Sequence, residues 1–247
     1  MLGLGNSIIT SGAPSEFTID SLSSAIHWYK FDDGLSFNGD NVSQWNDQIG
    51  SNHLTQSTAS KQPTYNSGNI EFNNGSTIEK LEFTSKVDLL DLTICLVVNF
   101  NGTTPNNETL LGSSVTGDAD LFRFAAGGNA KRNRIQVDGV AAGSADIVGS
   151  VAFPTTSKYI LTVTRDADGG NGNGEAVMYE NETNKGSNNF SADVSTDNFG
   201  IDQVGAQFVS SNHFAGQLSE IVIFNAVLSD DDRALVIQDI KTRNSIS

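Results

Sequence analysis

The feature that most constrains the fold is a series of short segments in which apolar and polar residues alternate, separated by turns. "LTICLVVNF" shows the clearest alternation, and "NIEFNNG", "RIQVDG", "KYILTVTRD" and "EAVMYEN" repeat it along the chain. A period of two residues is typical of strands with one buried face. Ten or more such strands, joined by turns rich in glycine and asparagine, predict an all-β, two-sheet antiparallel jelly-roll sandwich.

The last part of the chain, "NAVLSDDDRALVIQDIKTR", predicts one amphipathic helix over residues 229–243. Ser229 is a suitable N-cap, with an acidic capping-box residue three positions later. The acidic first turn and the basic last turn both match the helix dipole. Because Val236, Ile237 and Ile240 share one stripe, we expect the helix to cover one face of "EIVIF", the strand before it, while the sandwich core covers the other.

The chain divides into a short arm and one large domain. Residues 1–20 are rich in small polar residues and lack strand-like alternation, which predicts an N-terminal arm or linker. The jelly-roll domain, including the helix, is then expected over residues 21–247.

The opening segment has neither the basic region nor the apolar run of a signal peptide. No segment reaches the roughly 20 apolar residues that span a bilayer, so we expect no membrane insertion.

The charge of the chain argues against nucleic acid as a partner. Lys and Arg total 14 against 29 for Asp and Glu, a net charge of −15 that repels phosphate backbones. Lys131, Arg132 and Arg134 form a basic cluster within this acidic chain. It is either a docking point for an acidic neighbour or an acidic glycan, or a set of solvated charges on an exposed hairpin loop.

Cys95 is the single cysteine, so no intramolecular disulfide forms, and its place in "LTICLVVNF" predicts a packed strand residue.

The segment "DADGGNGNGE", residues 166–175, spaces oxygen-bearing side chains at alternate positions, as calcium-binding loops do. An EF-hand requires a ligand at the fifth position, a glycine at the sixth and a helix on each side. Here those positions hold Gly170 and Asn171, and both flanks are predicted strands. We therefore interpret the segment as a hairpin turn and expect calcium to stabilise the protein little. Calcium held by carboxylates and carbonyls of a β-sandwich loop is the alternative left open.

Longer segments carry a family resemblance that covers residues 24–243. "VSQWNDQIGSNHLTQSTASKQPTYN" resembles the first segment of laminin-G-like domains, with its Trp-x-Asp, its short Leu-x-Gln and its Gln-Pro-x-Tyr. "FAGQLSEIVIFNAVLSDDDRALVIQDIKTR" is similar to the closing strand and helix of the same domains. "KYILTVTRDADG" and "AVMYEN" resemble their paired central strands, although Glu180 and Asn181 replace the usual Asn-Gly. The resemblance implies a concanavalin-A-like jelly roll.

The resemblance also raises the question of catalysis, since the family includes glycan hydrolases with paired carboxylates on one strand. The candidate pairs, Glu79 with Glu82 and Asp88 with Asp91, are three residues apart and so belong on opposite faces of a strand. The three histidines match no metal-ligand spacing. They are His27, His53 and His213. We therefore predict a protein that is not an enzyme and has no catalytic, cofactor-binding or metal-binding residues.

The opening "MLGLGNS", followed by such a domain, is similar to small virion proteins of tailed marine bacteriophages. This second resemblance implies a virion structural protein, a capsid or tail surface component assembled in the cytoplasm of a bacterial host. The arm would dock it onto other virion proteins, and we expect the chain to form a homo-oligomer.

Two further functions remain open at the level of sequence. The first is a glycan-binding adhesin or receptor-binding module, whose partner would be a cell-surface glycan. The second is a polysaccharide-cleaving enzyme. Trp28 and Trp45 lie in strand-like segments, so we expect both to be packed and neither to offer a platform for a sugar ring.

Overall fold

The fold comes from a computed structural model, which describes residues 17–73, 77–102, 106–116, 118, 120–129, 131–137, 143–149, 152–207 and 212–247. Within these residues the chain consists of antiparallel strands followed by one C-terminal α-helix. This confirms the predicted all-β jelly-roll class. No helix in the described ranges is long and apolar enough to cross a membrane.

The strands are mostly short, as the spacing of turn residues predicts. In chain order the described elements are β1 (Ala25–Lys30), β2 (Leu35–Asn38), β3 (Asn41–Trp45), β4 (Leu54–Thr55), β5 (Thr64–Asn66), β6 (Asn69–Phe72), β7 (Leu81–Leu89), β8 (Leu92–Asn99), β9 (Glu108–Gly112), β10 (Leu121–Phe124), β11 (Arg132–Val137), β12 (Gly143–Val148), β13 (Tyr159–Asp166), β14 (Glu175–Glu180), β15 (Thr183–Asn189), β16 (Phe199–Val204), β17 (Gly216–Phe224) and α1 (Asp230–Asn244).

The strands form two layers. The first has the order β15-β14-β13-β8-β17, and the free edge of β17 pairs with β1 and β6. The second has the order β4-β7-β16-β9-β10-β11-β12. The strands β3, β5 and β6 continue the hydrogen bonding from one layer to the other at one side. All pairings between the named strands are antiparallel.

The core lies between the two layers, and a smaller apolar cluster lies under the helix. Strand β8 contributes side chains to both clusters, since Ile94 and Leu96 face the main core while Cys95 and Val97 face the helix. The Sγ of Cys95 accepts a hydrogen bond from Thr162 at 3.5 Å, and burial raises the pKa of the thiol to about 12. Cys95 is therefore a packed, unreactive residue, as the sequence predicts.

The helix occupies the place that the sequence assigns to it. It runs from Asp230 to Asn244, and the Oγ of Ser229 accepts a hydrogen bond from the backbone N–H of Asp232 at 3.1 Å. Its buried stripe packs on β17, whose Val222 and Phe224 point to the helix while Ile221 and Ile223 face the main core. The members of the stripe are Val236, Ile237 and Ile240. Both faces of "EIVIF" are covered, which confirms that prediction.

The predicted arm lies almost wholly outside the described residues, which begin at residue 17. Its last residues are described, and they pack on the domain. Ile19–Ser21 forms a short 3-10 helix, and Ile19 is fully buried in the cluster under the helix, with Phe17 against it.

Candidate functional site

Two aromatic side chains stand exposed side by side where two hairpins meet. Phe37 of β2 is 50% exposed, and Tyr65 of β5 is 36% exposed. Their ring centroids lie 5.4 Å apart with 69° between the ring planes, which is a favourable edge-to-face contact. We call Phe37 and Tyr65 the aromatic pair. Large aromatic side chains left in water on a protein surface are typical of binding sites.

The turns of the two hairpins explain why these rings meet. The turn between β2 and β3 has Gly39 at φ +64°, and the turn between β5 and β6 has Gly68 at φ +84°. Such left-handed turns give hairpins whose twist matches that of their strands. The hairpins are joined edge to edge, because the backbone N–H of Tyr65 donates to the carbonyl of Asp40 at 2.9 Å. The position of the aromatic pair is therefore fixed by the backbone.

Two clefts are lined in part by the aromatic pair. One has a volume of about 330 Å³ and is lined by Phe31, Leu35 and residues 32–34. The other has a volume of about 280 Å³ and is bounded by the turn that contains Asp40. Phe31 can reach the first cleft because Gly68 has no side chain, since a Cβ there would lie 3.3 Å from the ring.

Carboxylates surround the aromatic pair. Asp32, Asp33 and Asp40 are all exposed. Asp33 forms an ion pair with Lys30 at 3.4 Å, whereas Asp32 and Asp40 have no ion pair within the described part of the chain. Carboxylate oxygens accept hydrogen bonds from hydroxyl groups, and they repel anions. The arrangement therefore suits a neutral ligand with an apolar face and many hydroxyl groups.

The two tryptophans are packed, as expected from the sequence. Trp45 is fully buried, and its Nε1 donates to the carbonyl of Lys30 at 2.7 Å. Trp28 is half-buried, with the guanidinium of Arg243 at 4.8 Å from its ring. Its Nε1 donates to the buried carboxylate of Glu220 at 2.7 Å. The exposed aromatic surface is thus supplied by Phe and Tyr, whose only sequence signal is that each precedes a turn containing glycine.

The structure brings His27 and His53 to one residue, Asp47, although they are distant in the sequence. The Nδ1 of His27 lies 2.7 Å from the carboxylate of Asp47, and the Nδ1 of His53 accepts from the backbone N–H of Asp47 at 3.2 Å. The carboxylate also accepts from the backbone N–H groups of Trp28 and Ile49, at 3.0 and 3.1 Å. Asp47 therefore ties this loop to β1.

The described residues contain no group of three or more His, Cys, Asp or Glu side chains placed to hold a metal ion. The absence of metal-binding residues stays a prediction.

The acidic residues considered for catalysis each have a structural partner. Glu79 accepts from the backbone N–H of Asn73 at 2.8 Å, and burial raises the pKa of its carboxyl. Glu82 forms an ion pair with Lys80 at 2.6 Å. On the other side, Asp88 accepts from the side chain of Asn198, and Asp91 accepts from the backbone N–H of Ala167.

Residues 166–175 form the hairpin turn between β13 and β14, with Asp166 opposite Glu175 in register. Three glycines with positive φ make the turn. The side-chain oxygen of Asp166 accepts from the backbone N–H of Asp168 at 3.1 Å, and that of Asn171 accepts from the N–H of Asn173 at 3.2 Å. The hairpin interpretation is confirmed, and the weak effect of calcium stays a prediction.

The basic cluster lies only partly on a hairpin loop. Lys131 is an exposed turn residue in the connection between β10 and β11, whereas Arg132 and Arg134 are on β11. The exposed-loop interpretation is therefore confirmed for Lys131 and wrong for the two arginines. The alternation of β11 places both arginines on its outer face, while Asn133 and Ile135 point inward.

The fold defines the class of protein as a lectin-like jelly roll. The model of the concanavalin A-like lectin/glucanases superfamily matches residues 67–232, and the chain belongs to this superfamily. The laminin-G-like resemblance seen in the sequence is thereby confirmed. The closing segment lies largely within the matched region, whereas the aromatic pair precedes it. No curated protein matches the chain by sequence.

Solved structures share the fold at low sequence identity. The binding domain of Paraclostridial Mosquitocidal Protein 1 aligns over 88% of this chain and 52% of its own, with 12% identity and a TM-score of 0.58. A Trypanosoma rangeli sialidase in complex with sialic acid aligns over 89% and 34%, with 12% identity and a TM-score of 0.57. The binding domain of botulinum neurotoxin serotype G aligns over 89% and 52%, with 13% identity and a TM-score of 0.56. The chain thus spans about a third to a half of these proteins.

Proposed function

We propose that this chain is a non-enzymatic glycan-binding module whose binding site is the aromatic pair. The observation that carries the proposal is the exposed edge-to-face contact of Phe37 and Tyr65, which line two clefts. The apolar face of a sugar ring packs on an aromatic ring, and its hydroxyl groups need hydrogen-bond acceptors at the rim. Asp32 and Asp40 are exposed acceptors at that rim.

The relatives support the same class of function without specifying a ligand. The superfamily is described by its lectins and glucanases, and two of the structural neighbours are toxin binding domains. Lectin-type binding needs an accessible recognition surface, and the aromatic pair provides one. Catalysis on a glycan would need two carboxyl groups in a defined pair. The acidic residues that the sequence suggested are instead engaged with structural partners.

The virion setting is a more specific proposal and is carried by the opening residues alone. Residues 1–16 lie outside the described part of the chain, so the proposed docking through the arm depends on the sequence resemblance. A surface component of a virion that binds glycans would combine this setting with the lectin-like fold. Association with other virion proteins and with further copies of the chain belongs to the same proposal.

The test of the glycan site is binding by Phe37→Ala and Tyr65→Ala to an array of neutral plant, algal and bacterial oligosaccharides. Each substitution should weaken binding to the strongest neutral ligand about tenfold or more, because a stacking surface is lost. The melting temperature should change little, since both side chains are exposed. Val115→Ala is the matched control, because Val115 is 54% exposed and does not line either cleft.

Unchanged binding in both aromatic variants would overturn the site. The non-enzymatic part of the proposal is checked separately by incubating the parent protein with the same oligosaccharides. We expect no release of new reducing ends, and release that disappears on changing one acidic residue would contradict it.

A further inference from the structure

A row of charged side chains crosses the outer face of the second layer, away from the aromatic pair. In the strand register Thr109 of β9 faces Arg123 of β10, Arg123 faces Arg134 of β11, and Arg134 faces Asp146 of β12. Side chains opposite each other on neighbouring strands are in direct reach. We call Arg123, Arg134 and Asp146 the arginine row.

The positive charges of the arginine row are only partly neutralised. The guanidinium of Arg134 binds Asp146 through two hydrogen bonds of 2.6 and 2.8 Å. Arg132 approaches the same carboxylate at 3.8 Å. In the described ranges no carboxylate lies within ion-pair distance of Arg123. Arg132 and Arg134 therefore share one carboxylate, and Arg123 stands beside them without one in that part of the chain.

Neutral side chains hold Arg123 in a fixed orientation. Its Nη2 donates to the side-chain oxygen of Gln207 at 2.6 Å, and its Nε donates to the Oγ1 of Thr109 at 3.4 Å. Neither acceptor carries charge, so Arg123 is oriented without being neutralised. A guanidinium held in this way has lost much of its side-chain freedom and is pre-organised to bind an anion.

This arrangement has a cost to the folded state. Like charges directly opposite each other on paired strands are destabilising. The pKa of Arg123 is lowered, first by its burial and then by the charge of Arg134. The chain carries 29 acidic residues, yet within the described residues none of them is placed to pair with Arg123. A charge that the fold holds without a partner is well suited to a ligand of opposite sign.

We infer that the arginine row is a second binding site, which takes a glycan bearing carboxylate or sulfate groups. Arginine recognises carboxylate and sulfate oxygens through paired hydrogen bonds. Gln136 and Ser144 face each other beside the row and are partly exposed, so they can bind sugar hydroxyl groups next to the anion. The carboxylates around the aromatic pair repel such a ligand. The two sites therefore differ in the charge of the glycan that they accept. The inference rests on the proposed function in one respect only, namely that the ligand is a glycan.

The experiment compares matched probes on the full chain. One pair is an oligogalacturonate and its methyl ester, and the other is a sulfated galactan oligosaccharide and its desulfated form. We expect the parent protein to bind each acidic probe at least about tenfold more tightly than its neutral counterpart, with affinity falling as salt is added. Arg123→Gln should remove this preference without lowering the melting temperature, because it also removes a like-charge contact. Lys61→Gln, which removes the same charge from an exposed site, should keep the preference.

The outcomes separate this inference from the proposed function. If neutral probes bind and Phe37→Ala abolishes that binding, but acidic probes bind no better, the arginine row fails and the aromatic site stands. If acidic probes bind in an Arg123-dependent way while Phe37→Ala changes nothing, the aromatic site fails and the arginine row stands. A lower melting temperature for Arg123→Gln, with the preference retained, would assign Arg123 a structural role and overturn the inference. Binding of polyglutamate, but of neither acidic glycan, would also overturn it.

Discussion

At the scale of residues, the fold depends on a few buried polar groups that each bind several partners. Asp47 is an example, since its carboxylate is fully buried and accepts hydrogen bonds from His27 and from backbone N–H groups. Burial raises the pKa of this carboxyl, but the hydrogen bonds from His27, Trp28 and Ile49 outweigh that effect and leave the pKa below its ordinary value. The ionised form of Asp47 therefore stabilises the folded state.

Replacing this carboxylate should be costly and should change the pH dependence of stability. Asp47→Asn should lower the free energy of unfolding by about 3 kcal/mol at pH 7, since several donors lose a charged acceptor. Because the folded pKa lies below the unfolded one, the stabilising effect is present above pH ~4 and is lost as the pH falls through the folded pKa. The variant should therefore converge with the parent protein in acid. Denaturant unfolding between pH 3 and pH 7 measures this.

The matched control is Asp168→Asn, which makes the same change at an exposed position in the turn after β13. It should stay within about 0.5 kcal/mol of the parent protein. A variant of Asp47 that is equally stable at pH 7 would show that the backbone alone holds this loop.

At the scale of elements, α1 seals the outer face of the first layer. Its apolar stripe covers Val97 and Val222, and a polar cluster fixes its last turn. In that cluster Arg243 and Asn244 donate to the fully buried carboxylate of Glu220, at 2.8 and 2.6 Å. Burial raises the pKa of Glu220, and the hydrogen bonds from Arg243, Trp28 and Asn244 oppose that effect. The helix is thus attached both by apolar burial and by a paired charge.

Removing the helix from Ser229 onward should expose this face and make the protein aggregate. The burial of three aliphatic side chains contributes about 5 kcal/mol or more to the stability of the folded protein. Without the helix, the strand beneath them would become an exposed apolar surface. The melting temperature and light scattering report the effect. A truncated chain that stays monomeric, with an unchanged melting temperature, would contradict it.

A milder test uses Ile237→Asp and Leu235→Asp, which place the same charge on the buried and the exposed side of α1. Ile237→Asp should make Cys95 react with a thiol reagent, and Leu235→Asp should not. The reaction reports on Cys95 alone, because the chain has one cysteine, and this side chain is only 1% exposed in the folded protein. Equal protection of Cys95 in both variants would mean that the helix does not shield the strand.

At the scale of the whole molecule, the two proposed sites lie toward opposite ends of the second layer. Phe37 and Tyr65 lie on hairpins that are connected through β3 to β4, the strand at one end of the second layer. The arginine row lies on β10, β11 and β12, at the other end of that layer. Phe17 and Ile19 at the start of the described part pack on the domain. The proposed anchoring role belongs to the arm, of which residues 1–16 lie outside the described part.

Deleting residues 1–14 tests that role. The domain should keep its melting temperature, because Phe17 and Ile19, which pack on its core, are retained. Glycan binding should also be unchanged, while incorporation into virions made in the producing host should be lost. Purified particles probed for the variant chain provide the measurement. Incorporation equal to that of the full chain would rule out anchoring through the arm, and the chain would then be better described as a free lectin.

The sequence alone determined the parts of the fold that depend on local pattern. The alternation in "LTICLVVNF" identified β8, because a period of two places alternate residues on one face. The N-cap and the apolar stripe identified α1 to within one residue at each end. These features depend on neighbours in the chain, so they can be predicted without knowing what packs against them.

The tertiary structure alone decided which outward side chains meet. Phe37 and Tyr65 lie on separate hairpins, and Arg123 and Arg134 on strands joined through a turn, so their contacts depend on strand register. Alternation indicates which face is buried, but it carries no information on which exposed residues become neighbours. Asp47 shows the same limit, since His27 and His53 reach it only after β1 and the loop before β4 are packed together. Binding at a surface depends on such convergence, and that is why both proposed sites could be recognised only in the structure.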